Sequence, residues 1–258
     1  MKVLILAGGL GTRLAEETDR IPKPMVEIGN RPILWHIMRH YGQAGFKEFV
    51  VALGYRGDVV KRFMLDYRAL SYRNVKLDMA TGDVELADGD EPLDWQVNLL
   101  ETGLNTQTSG RVRRALSVIG NERFMLTYGD GVSDIALQEL LAFHESHGKL
   151  VTISIVKAKS LFGHLRIEDN QITEFVEKPQ ELQGWINGGF MVMEPGVAEY
   201  LGDDDMPLER SPFERLAQDG QMMAFRHHGF WQSMDSLRDK RLLEALWESG
   251  AAPWKTWD

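Results

Sequence analysis

The sequence predicts an α/β protein organised around a parallel β-sheet. Three short apolar runs, at residues 3–7, 49–53 and 124–128, end at glycine or just before it, and such runs are typical of buried strands. Amphipathic segments follow the first two of these runs along the chain. This alternation of strand and helix favours parallel strands that are joined by right-handed crossovers.

Helices are predicted where apolar residues recur at helical spacing or where capping residues occur. Leu34, Ile37 and Met38 place an amphipathic helix at 33–41, and Asp58 is predicted to cap the next helix. The remaining helices are predicted at 111–119, from Ser133 or Asp134 to 148, from the capping box at 211–214 to 218, and at 235–247.

The rest of the chain alternates short strands and turns. The acidic stretch 71–98 carries two turn signals and is predicted to be an antiparallel excursion or hairpin. No linker rich in Pro, Gly or Ser separates the two halves, so residues 1–258 are predicted to form a single domain. The Trp-containing end of the chain is expected to pack either on its own core or on a neighbouring subunit. Further strands are predicted at 99–103, 150–156, 163–167, 171–176, 188–193 and 221–226.

The composition restricts the classes of function. A formal net charge of −9 argues against general binding to nucleic acid or to an anionic membrane, although a local group of lysines and arginines can still hold a small anion. The chain has no cysteine, which excludes disulfides and cysteine nucleophiles and is consistent with a reducing compartment. The sequence shows neither a secretory signal nor an apolar stretch approaching the roughly 20 residues of a membrane helix. We therefore expect a soluble, cytoplasmic protein.

The loop after the first apolar run has the features of a phosphate site. Gly8, Gly9 and Gly11 leave the backbone with little side-chain bulk, and Arg13 and Lys23 add positive charge nearby. The third glycine of a dinucleotide fingerprint and the Gly-Lys-Ser/Thr of a Walker A loop are both missing, which disfavours an NAD-dependent oxidoreductase and a P-loop NTPase. The loop therefore predicts a site for a nucleoside triphosphate of another kind.

Several motifs resemble those of the sugar-1-phosphate nucleotidyltransferases, the nucleotide-sugar pyrophosphorylases. They lie, in chain order, at 6–14, 22–25, 33–38, 127–132, 177–179, 186–190 and 229–235. The resemblance covers essentially the whole chain, and several motifs in this order are far more specific than one glycine loop. It implies a three-layer, Rossmann-like nucleotidyltransferase fold with a mixed, mostly parallel central sheet and small β excursions.

The motifs are most similar to those of family members that use CTP and glucose 1-phosphate. The resemblance implies Mg²⁺-dependent transfer of CMP from CTP to α-D-glucose 1-phosphate, giving CDP-glucose and pyrophosphate. The attacking phosphate oxygen is already anionic, so catalysis needs alignment and charge neutralisation rather than a base or a covalent residue. Another sugar 1-phosphate or nucleotide is an alternative within the family. A non-catalytic sensor of sugar nucleotides is a second alternative, but it is expected to lose Lys23, Asp130 or Asp235, all of which are present.

The same resemblance implies roles for individual residues on the nucleotide side. Catalysis is assigned to Arg13, Lys23 and Asp130, with Arg13 on the departing β- and γ-phosphates and Lys23 on the α-phosphate or the sugar phosphate. Ser109 stands where members of the family usually have glycine, and its side chain adds bulk at a point where the backbone is expected to approach the nucleotide. The implied nucleotide-binding residues are Leu6, Ala7, Gly8, Gly9, Gly11, Thr12, Arg13, Lys23, Thr108, Arg111, Gly129 and Asp130.

The metal and sugar sides are implied in the same way. Asp130 and Asp235 are assigned to Mg²⁺, a cation that prefers hard oxygen ligands. The sugar-binding portion is placed at 163–193, and the family also suggests a homo-oligomer with the 71–98 excursion at an interface. The implied substrate-binding residues are Tyr128, Glu177, Lys178, Asn187, Gly188 and Trp231.

Overall fold

The secondary structure of the chain is given by a computed structural model that describes residues 1–11, 14, 18, 21–89, 93–157, 164–168, 171–176 and 184–257, with the backbone alone at 164–168 and 171–176. The strands in these ranges are β1 (Lys2–Leu6), β2 (Glu27–Ile28), β3 (Arg31–Pro32), β4 (Glu48–Leu53), β5 (Tyr72–Leu77), β6 (Val84–Gly89), β7 (Gln96–Glu101), β8 (Phe124–Tyr128), β9 (Gly131–Ser133), β10 (Val151–Lys157), β11 (His164–Glu168), β12 (Gln171–Val176), β13 (Trp185–Met193), β14 (Met222–Arg226) and β15 (Trp231–Ser233). The helices are α1 (Ile33–Gln43), α2 (Gly57–Leu70), α3 (Thr108–Ile119), α4 (Leu137–His147), α5 (Ser211–Gln218) and α6 (Leu237–Glu248), with short 3₁₀ helices at Lys23–Met25 and Pro195–Tyr200.

A central sheet within the described ranges has the strand order β14-β10-β13-β8-β1-β4-β7. β1 pairs in parallel with β4 and β8, and β4 pairs in parallel with β7. β13 runs antiparallel to both of its neighbours, β8 and β10. The sheet is therefore mixed but mostly parallel, which confirms the predicted fold class.

Residues that alternate along the central strands face two different layers of helices. Val3 and Ile5 of β1 belong to the apolar cluster that contains the buried face of α1, whereas Leu4 and Leu6 belong to the cluster that contains α3. Both faces of β1 are covered, which explains its continuous apolar run, because successive strand side chains point to opposite faces. This arrangement places the carboxyl ends of β1, β4 and β8 at one edge of the sheet, where α/β proteins bind ligands.

Several predicted helix starts are wrong, each for a local reason. Arg56, in a left-handed conformation, is the N-cap of α2, and Asp58 lies in its first turn. Residues 131–133 form β9, which pairs with the distant β15, so α4 begins only at Leu137. The proposed capping box at 211–214 makes no side-chain cap, since Arg210 is the N-cap of α5. The helix α3 begins earlier than predicted, at Thr108.

The predicted excursion is shorter than 71–98, and the end of the chain packs on its own core. β5 and β6 form an antiparallel hairpin, whereas Gln96 already belongs to the central sheet through its pairing with Glu48. Trp254 is fully buried and stacks on Phe230 with ring centroids 5.5 Å apart. Within the described residues, no helix has both the length and the apolar character needed to cross a bilayer.

Two buried histidines of α1 make the folding stability depend on pH. Burial lowers the pKa of His36 and of His40 to about 4 from the ordinary value of 6.5. The ring of His36 lies against the core, with Nε2 at 2.9 Å from the carbonyl oxygen of Ile28. An unfolded histidine takes up a proton near pH 6.5 and the folded one only near pH 4, so the free energy of unfolding decreases as the pH falls through this window.

We expect the urea concentration at half-unfolding to stay constant above about pH 7 and to decrease below about pH 6.5. Each histidine contributes a slope of up to about 1.4 kcal/mol per pH unit. The variant His40→Gln is expected to reduce the slope, whereas the control His228→Gln, at an exposed position, keeps it. A stability that stayed unchanged between about pH 7 and pH 5 would contradict this account of α1.

Candidate functional site

A cavity of about 260 Å³ opens at the carboxyl ends of β1 and β8. Every predicted nucleotide-binding residue in the described parts of the chain lines it, whereas Thr12 and Arg13 lie outside the described residues. Thr106 and Gln107 also line it, although neither was predicted individually as a binding residue. The lining consists of Leu6, Ala7, Gly8, Gly9, Gly11, Lys23, Pro24, Thr106, Gln107, Thr108, Arg111, Tyr128, Gly129 and Asp130.

The glycine loop after β1 is fixed by backbone hydrogen bonds to the neighbouring strands. The amide of Ala7 donates to the carbonyl oxygen of Ala52 at 3.0 Å, and the amide of Gly129 donates to the carbonyl oxygen of Leu6 at 3.0 Å. Gly11 has φ of +66°, a left-handed conformation in which a side chain is strained. Gly9 is exposed and has open space around it. The loop thus presents backbone rather than side-chain bulk to the cavity.

Arg111 supports this loop from behind. Its guanidinium is buried and donates to the carbonyl oxygens of Leu53 and Gly8, both at 2.9 Å, and to the hydroxyl of Thr102 at 2.6 Å. A Cβ at Gly8 would lie 2.1 Å from Arg111 Nη1, so a side chain there would displace the guanidinium from these hydrogen bonds. Burial lowers the pKa of Arg111 below its usual range. These contacts point to Arg111 as a positioning residue of the glycine loop, in addition to its place in the cavity wall.

Replacing Arg111 with methionine is expected to reduce both folding stability and nucleotide affinity. Removal of the guanidinium deletes its hydrogen bonds to Gly8, Leu53 and Thr102, and a hydrogen bond to a charged group contributes about 1.5–3 kcal/mol. The carbonyl oxygens of Gly8 and Leu53 keep donors from the amides of Tyr55 and Thr102, so the loss is expected to lie at the lower end of this range for each bond. A residue that only held a phosphate would change affinity alone. Chemical denaturation and calorimetric titration with CTP measure the two effects, with Arg113→Met, a substitution in an exposed ion pair with Asp203, as the control. Unchanged stability would contradict the supporting role.

Ser109, the residue at which the sequence departs from the motif it resembles, turns its side chain away from the cavity. It is fully buried, and its Oγ accepts a hydrogen bond from the amide of Gly202 at 2.8 Å. The adjacent Gly110 still allows close packing, because a Cβ there would lie 2.8 Å from the Cα of Asp204. The serine therefore fixes a neighbouring segment and does not add bulk at the cavity wall, where it has no lining contact.

Lys23, Asp130 and Asp235 form the charged centre of the site. The ammonium of Lys23 donates to Asp130 Oδ2 at 2.6 Å and to Asp235 Oδ1 at 2.7 Å. Lys23 is 7% exposed, while the two carboxylates are about one-third exposed, at 31% and 32% of their side-chain surface. Burial by itself lowers the pKa of Lys23, but the charges and hydrogen bonds of Asp130 and Asp235 outweigh it and raise the pKa above 10.5.

The β9–β15 ribbon brings the two aspartates together across more than a hundred residues of chain. Asp130 follows β8 and directly precedes β9, and Asp235 follows β15 two residues before α6. Gly131 pairs with Ser233 in this ribbon, and the amide of Met234 donates to the carbonyl oxygen of Asp130 at 2.8 Å. Asp235 lies one position before the N-cap of α6, which is Ser236. No local sequence pattern predicts that these two aspartates meet, and they were assigned to one site only because of the family resemblance.

The predicted sugar side adjoins the cavity at Tyr128. The amide nitrogen of Asn187 lies 3.4 Å from the Tyr128 hydroxyl, and Trp231 Nε1 donates to the carbonyl oxygen of Gly188 at 2.7 Å. Gly189 has φ of +81°, and its amide donates to Asn187 Oδ1 at 2.7 Å, which fixes the amide side chain. The other two predicted substrate-binding residues, Glu177 and Lys178, lie outside the described residues.

Sequence reasoning missed Glu209, which joins the two sides. The Tyr128 hydroxyl donates to Glu209 Oε1 at 2.5 Å, and the Thr108 hydroxyl donates to Oε2 at 2.7 Å. Burial, followed by the charge of Glu209 and its hydrogen bond, raises the pKa of Tyr128. No motif around residue 209 predicted this contact, because both partners are distant in sequence.

Comparison with known proteins gives a consistent assignment. The family profile "Nucleotidyl transferase" matches residues 2–234. The chain is 46% identical to the glucose-1-phosphate cytidylyltransferase of Salmonella typhi over 260 residues, which cover 100% of both chains. It is 41% identical to the probable glucose-1-phosphate cytidylyltransferase of Bacillus subtilis (strain 168), again over 100% of both chains. The chain belongs to the nucleotidyl transferase family.

The fold of this nucleotidyl transferase is also found at low sequence identity. The crystal structure of HddC from Yersinia pseudotuberculosis superposes with a TM-score of 0.68 at 23% identity, covering 95% of this chain and 99% of that chain. A UDP-glucose pyrophosphorylase complexed with UDP-glucose superposes with a TM-score of 0.68 at 18% identity, covering 96% and 98%. These similarities concern the fold, and they agree with the three layers described above.

Proposed function

We propose that this nucleotidyl transferase transfers CMP from CTP to α-D-glucose 1-phosphate and releases pyrophosphate. The proposal rests mainly on one cavity that brings the glycine loop, Lys23 and Asp130 together. The choice of CTP and glucose 1-phosphate is supported by the full-length identity of 41–46% to glucose-1-phosphate cytidylyltransferases.

The proposed reaction is a single displacement at phosphorus. A phosphate oxygen of glucose 1-phosphate attacks the α-phosphorus of CTP, and the bond from that phosphorus to the oxygen of the β-phosphate breaks. The products are CDP-glucose and pyrophosphate. The nucleophile is already an anion, so the site has to align two anionic substrates and neutralise their charge.

The described residues supply these two functions. The backbone of Gly8, Gly9 and Gly11 lines the cavity and offers hydrogen-bond donors to phosphate oxygens. The ammonium of Lys23 borders the same cavity and supplies positive charge. Arg13 is proposed to hold the departing β- and γ-phosphates, in keeping with its place in the glycine-loop motif.

Asp130 and Asp235 are proposed to hold Mg²⁺. Their oxygens converge on one ammonium group, that of Lys23, so the arrangement already accommodates a cation between them. Mg²⁺ is bound in this kind of site by one or two carboxylates together with substrate phosphates and water. When bound, the metal would supply charge neutralisation for the phosphates. Among the described residues, no group of three or more His, Cys, Asp or Glu side chains could hold a metal. Water or substrate oxygens would complete the coordination of a cation held by these two carboxylates.

Substrate selection is proposed to involve two groups of residues, one for the sugar phosphate and one for the base. The residues that are proposed to contact the sugar phosphate are Tyr128, Asn187, Gly188, Trp231, Glu177 and Lys178. Thr106 and Gln107 also line the cavity, and they belong to the loop between β7 and α3. We propose that this loop, which directly precedes the predicted nucleotide-binding residue Thr108, recognises the cytosine base.

We further propose a homo-oligomer that acts in the cytoplasm. The β5–β6 hairpin exposes Val75, Leu77 and Val84 at 48–52% of their surface, and an isolated two-stranded hairpin is marginally stable in water. A second copy of the chain that covered this apolar face would stabilise it. Light scattering on the wild type and on Leu77→Asp tests the proposal, because the substitution is expected to reduce the assembled mass.

The proposed function is tested by pyrophosphate release. Purified protein is incubated with each of the four nucleoside triphosphates and a panel of sugar 1-phosphates, with and without Mg²⁺. We expect release with CTP and glucose 1-phosphate that depends on Mg²⁺. A preference for UTP or dTTP would contradict the cytidylyl assignment, and no release with any pair would favour the non-catalytic sensor.

A further inference from the structure

Segment 201–209, which precedes α5, is attached to the nucleotide side of the site. The backbone amide of Gln107 donates to the carbonyl oxygen of Asp204 at 2.6 Å, and that of Ser109 donates to the carbonyl oxygen of Met206 at 3.2 Å. In return, the amide of Leu208 donates to the hydroxyl of Thr108 at 2.7 Å. Together with the bond from Gly202 to Ser109, these contacts fix segment 201–209 against the first turn of α3.

Glu209, at the end of this segment, reaches across to the other side of the cavity. One carboxylate oxygen accepts from Thr108, in the first turn of α3, and the other accepts from Tyr128, the last residue of β8. Asn187 continues the chain of contacts, since its amide nitrogen faces the Tyr128 hydroxyl at 3.4 Å. One carboxylate thus links the wall that is proposed to bind the nucleotide with the wall that is proposed to bind the sugar phosphate.

Glu209 is suited to position these residues rather than to bind substrate. Thr108 and Tyr128 line the cavity, but Glu209 does not. Both of its oxygens accept hydrogen bonds from hydroxyl groups, and a carboxylate is a poor partner for a phosphate. Hydrogen bonds to a charged acceptor are stronger than those between neutral groups, so the bridge restricts the rotamers of both hydroxyl side chains.

We propose that Glu209 is a positioning residue that holds Thr108 and Tyr128 at the separation at which CTP and glucose 1-phosphate bind side by side. This inference rests on the proposed function for the identity of the two ligands. Removing the carboxylate deletes the hydrogen bonds that hold the hydroxyl groups of Thr108 and Tyr128, so both side chains gain rotational freedom. Binding of both ligands therefore weakens, although the substituted residue touches neither of them.

The test measures binding of CTP and of glucose 1-phosphate by calorimetric titration with Mg²⁺ present, in separate experiments in which no turnover occurs because the second substrate is left out. We expect Glu209→Ala to raise both dissociation constants, each by about 10-fold, with the thermal unfolding midpoint unchanged. Glu209→Gln is expected to recover most of the affinity, because its amide can accept from Thr108 and donate to Tyr128. The control is Glu214→Ala, an exposed glutamate in the first turn of α5 that is outside the cavity lining.

A double-mutant cycle shows whether the effect passes through Tyr128. The losses of glucose 1-phosphate affinity in Glu209→Ala and Tyr128→Phe are expected to be less than additive, since both remove the same hydrogen bond. Additive losses, weakening of one ligand alone, or a Gln variant as weak as the Ala variant would overturn the proposal. If the wild type bound both ligands and Glu209→Ala bound them equally well, the Glu209 proposal alone would be wrong. If the wild type bound neither ligand, the proposed function would be wrong as well.

Discussion

Replacing Asp130 with asparagine is expected to reduce kcat by about 10³-fold or more while leaving the fold intact. The amide has nearly the same shape as the carboxylate and can still accept the hydrogen bond that Lys23 donates at 2.6 Å. It lacks the negative charge that a divalent cation requires. Because the Asp130 side chain is 31% exposed, loss of the ion pair is expected to cost less than about 1 kcal/mol of folding stability.

The measurement combines steady-state kinetics at saturating substrates with chemical denaturation. Asp94→Asn serves as the control, because Asp94 also pairs with a lysine at 2.6 Å but lies on the surface and is not part of the cavity lining. Asp235→Asn is expected to behave like Asp130→Asn. A variant of either aspartate that kept a normal Mg²⁺-dependent rate would show that the metal site is placed wrongly.

Replacing Lys23 with methionine is expected to reduce turnover by about 10²-fold or more, and also to make stability depend on Mg²⁺. Without the ammonium, Asp130 and Asp235 lose their shared hydrogen-bond donor, which is expected to destabilise the protein by about 1–3 kcal/mol. A bound Mg²⁺ would neutralise the same carboxylates. Ligand binding to the folded state raises its stability, so Mg²⁺ should restore the unfolding midpoint of this variant.

Thermal unfolding with and without Mg²⁺ measures this effect. The increase caused by Mg²⁺ is expected to be larger in Lys23→Met than in the wild type, where the ammonium already lies between the carboxylates. Lys47→Met removes the lysine from an exposed ion pair with Asp94 and is the matched control. If Mg²⁺ left the midpoint of Lys23→Met unchanged, the two aspartates would not form the proposed cation site.

Much of the central sheet is predictable from the sequence because its signals are local. The apolar runs at 3–7, 49–53 and 124–128 correspond closely to β1, β4 and β8, since strands covered on both faces are apolar at successive positions. The start of α4 was not predictable in this way. Residues 131–133 pair with β15, which lies about a hundred residues later, and local helix signals do not register such a partner.

The candidate site likewise contains residues that the sequence predicts and residues that only the folded structure shows. The glycine loop and Lys23 carry a recognisable local pattern, and the family resemblance supplied Asp130 and Asp235. The support of the loop by Arg111 was not predicted, because its acceptors on Gly8, Leu53 and Thr102 come from three different segments. Glu209 has no local signal either, because its importance comes from two hydroxyl groups that only the folded chain brings near it.

Phosphorus NMR of one reaction mixture tests the central claim most directly. The wild type is mixed with CTP, glucose 1-phosphate and Mg²⁺, and the spectrum is followed as the substrates are consumed. We expect the signals of CTP and glucose 1-phosphate to be replaced by those of CDP-glucose and pyrophosphate in equal amounts, and Asp130→Asn to leave the substrate signals unchanged over the same period. Release of inorganic phosphate without a sugar nucleotide, or an unchanged wild-type spectrum, would contradict the account.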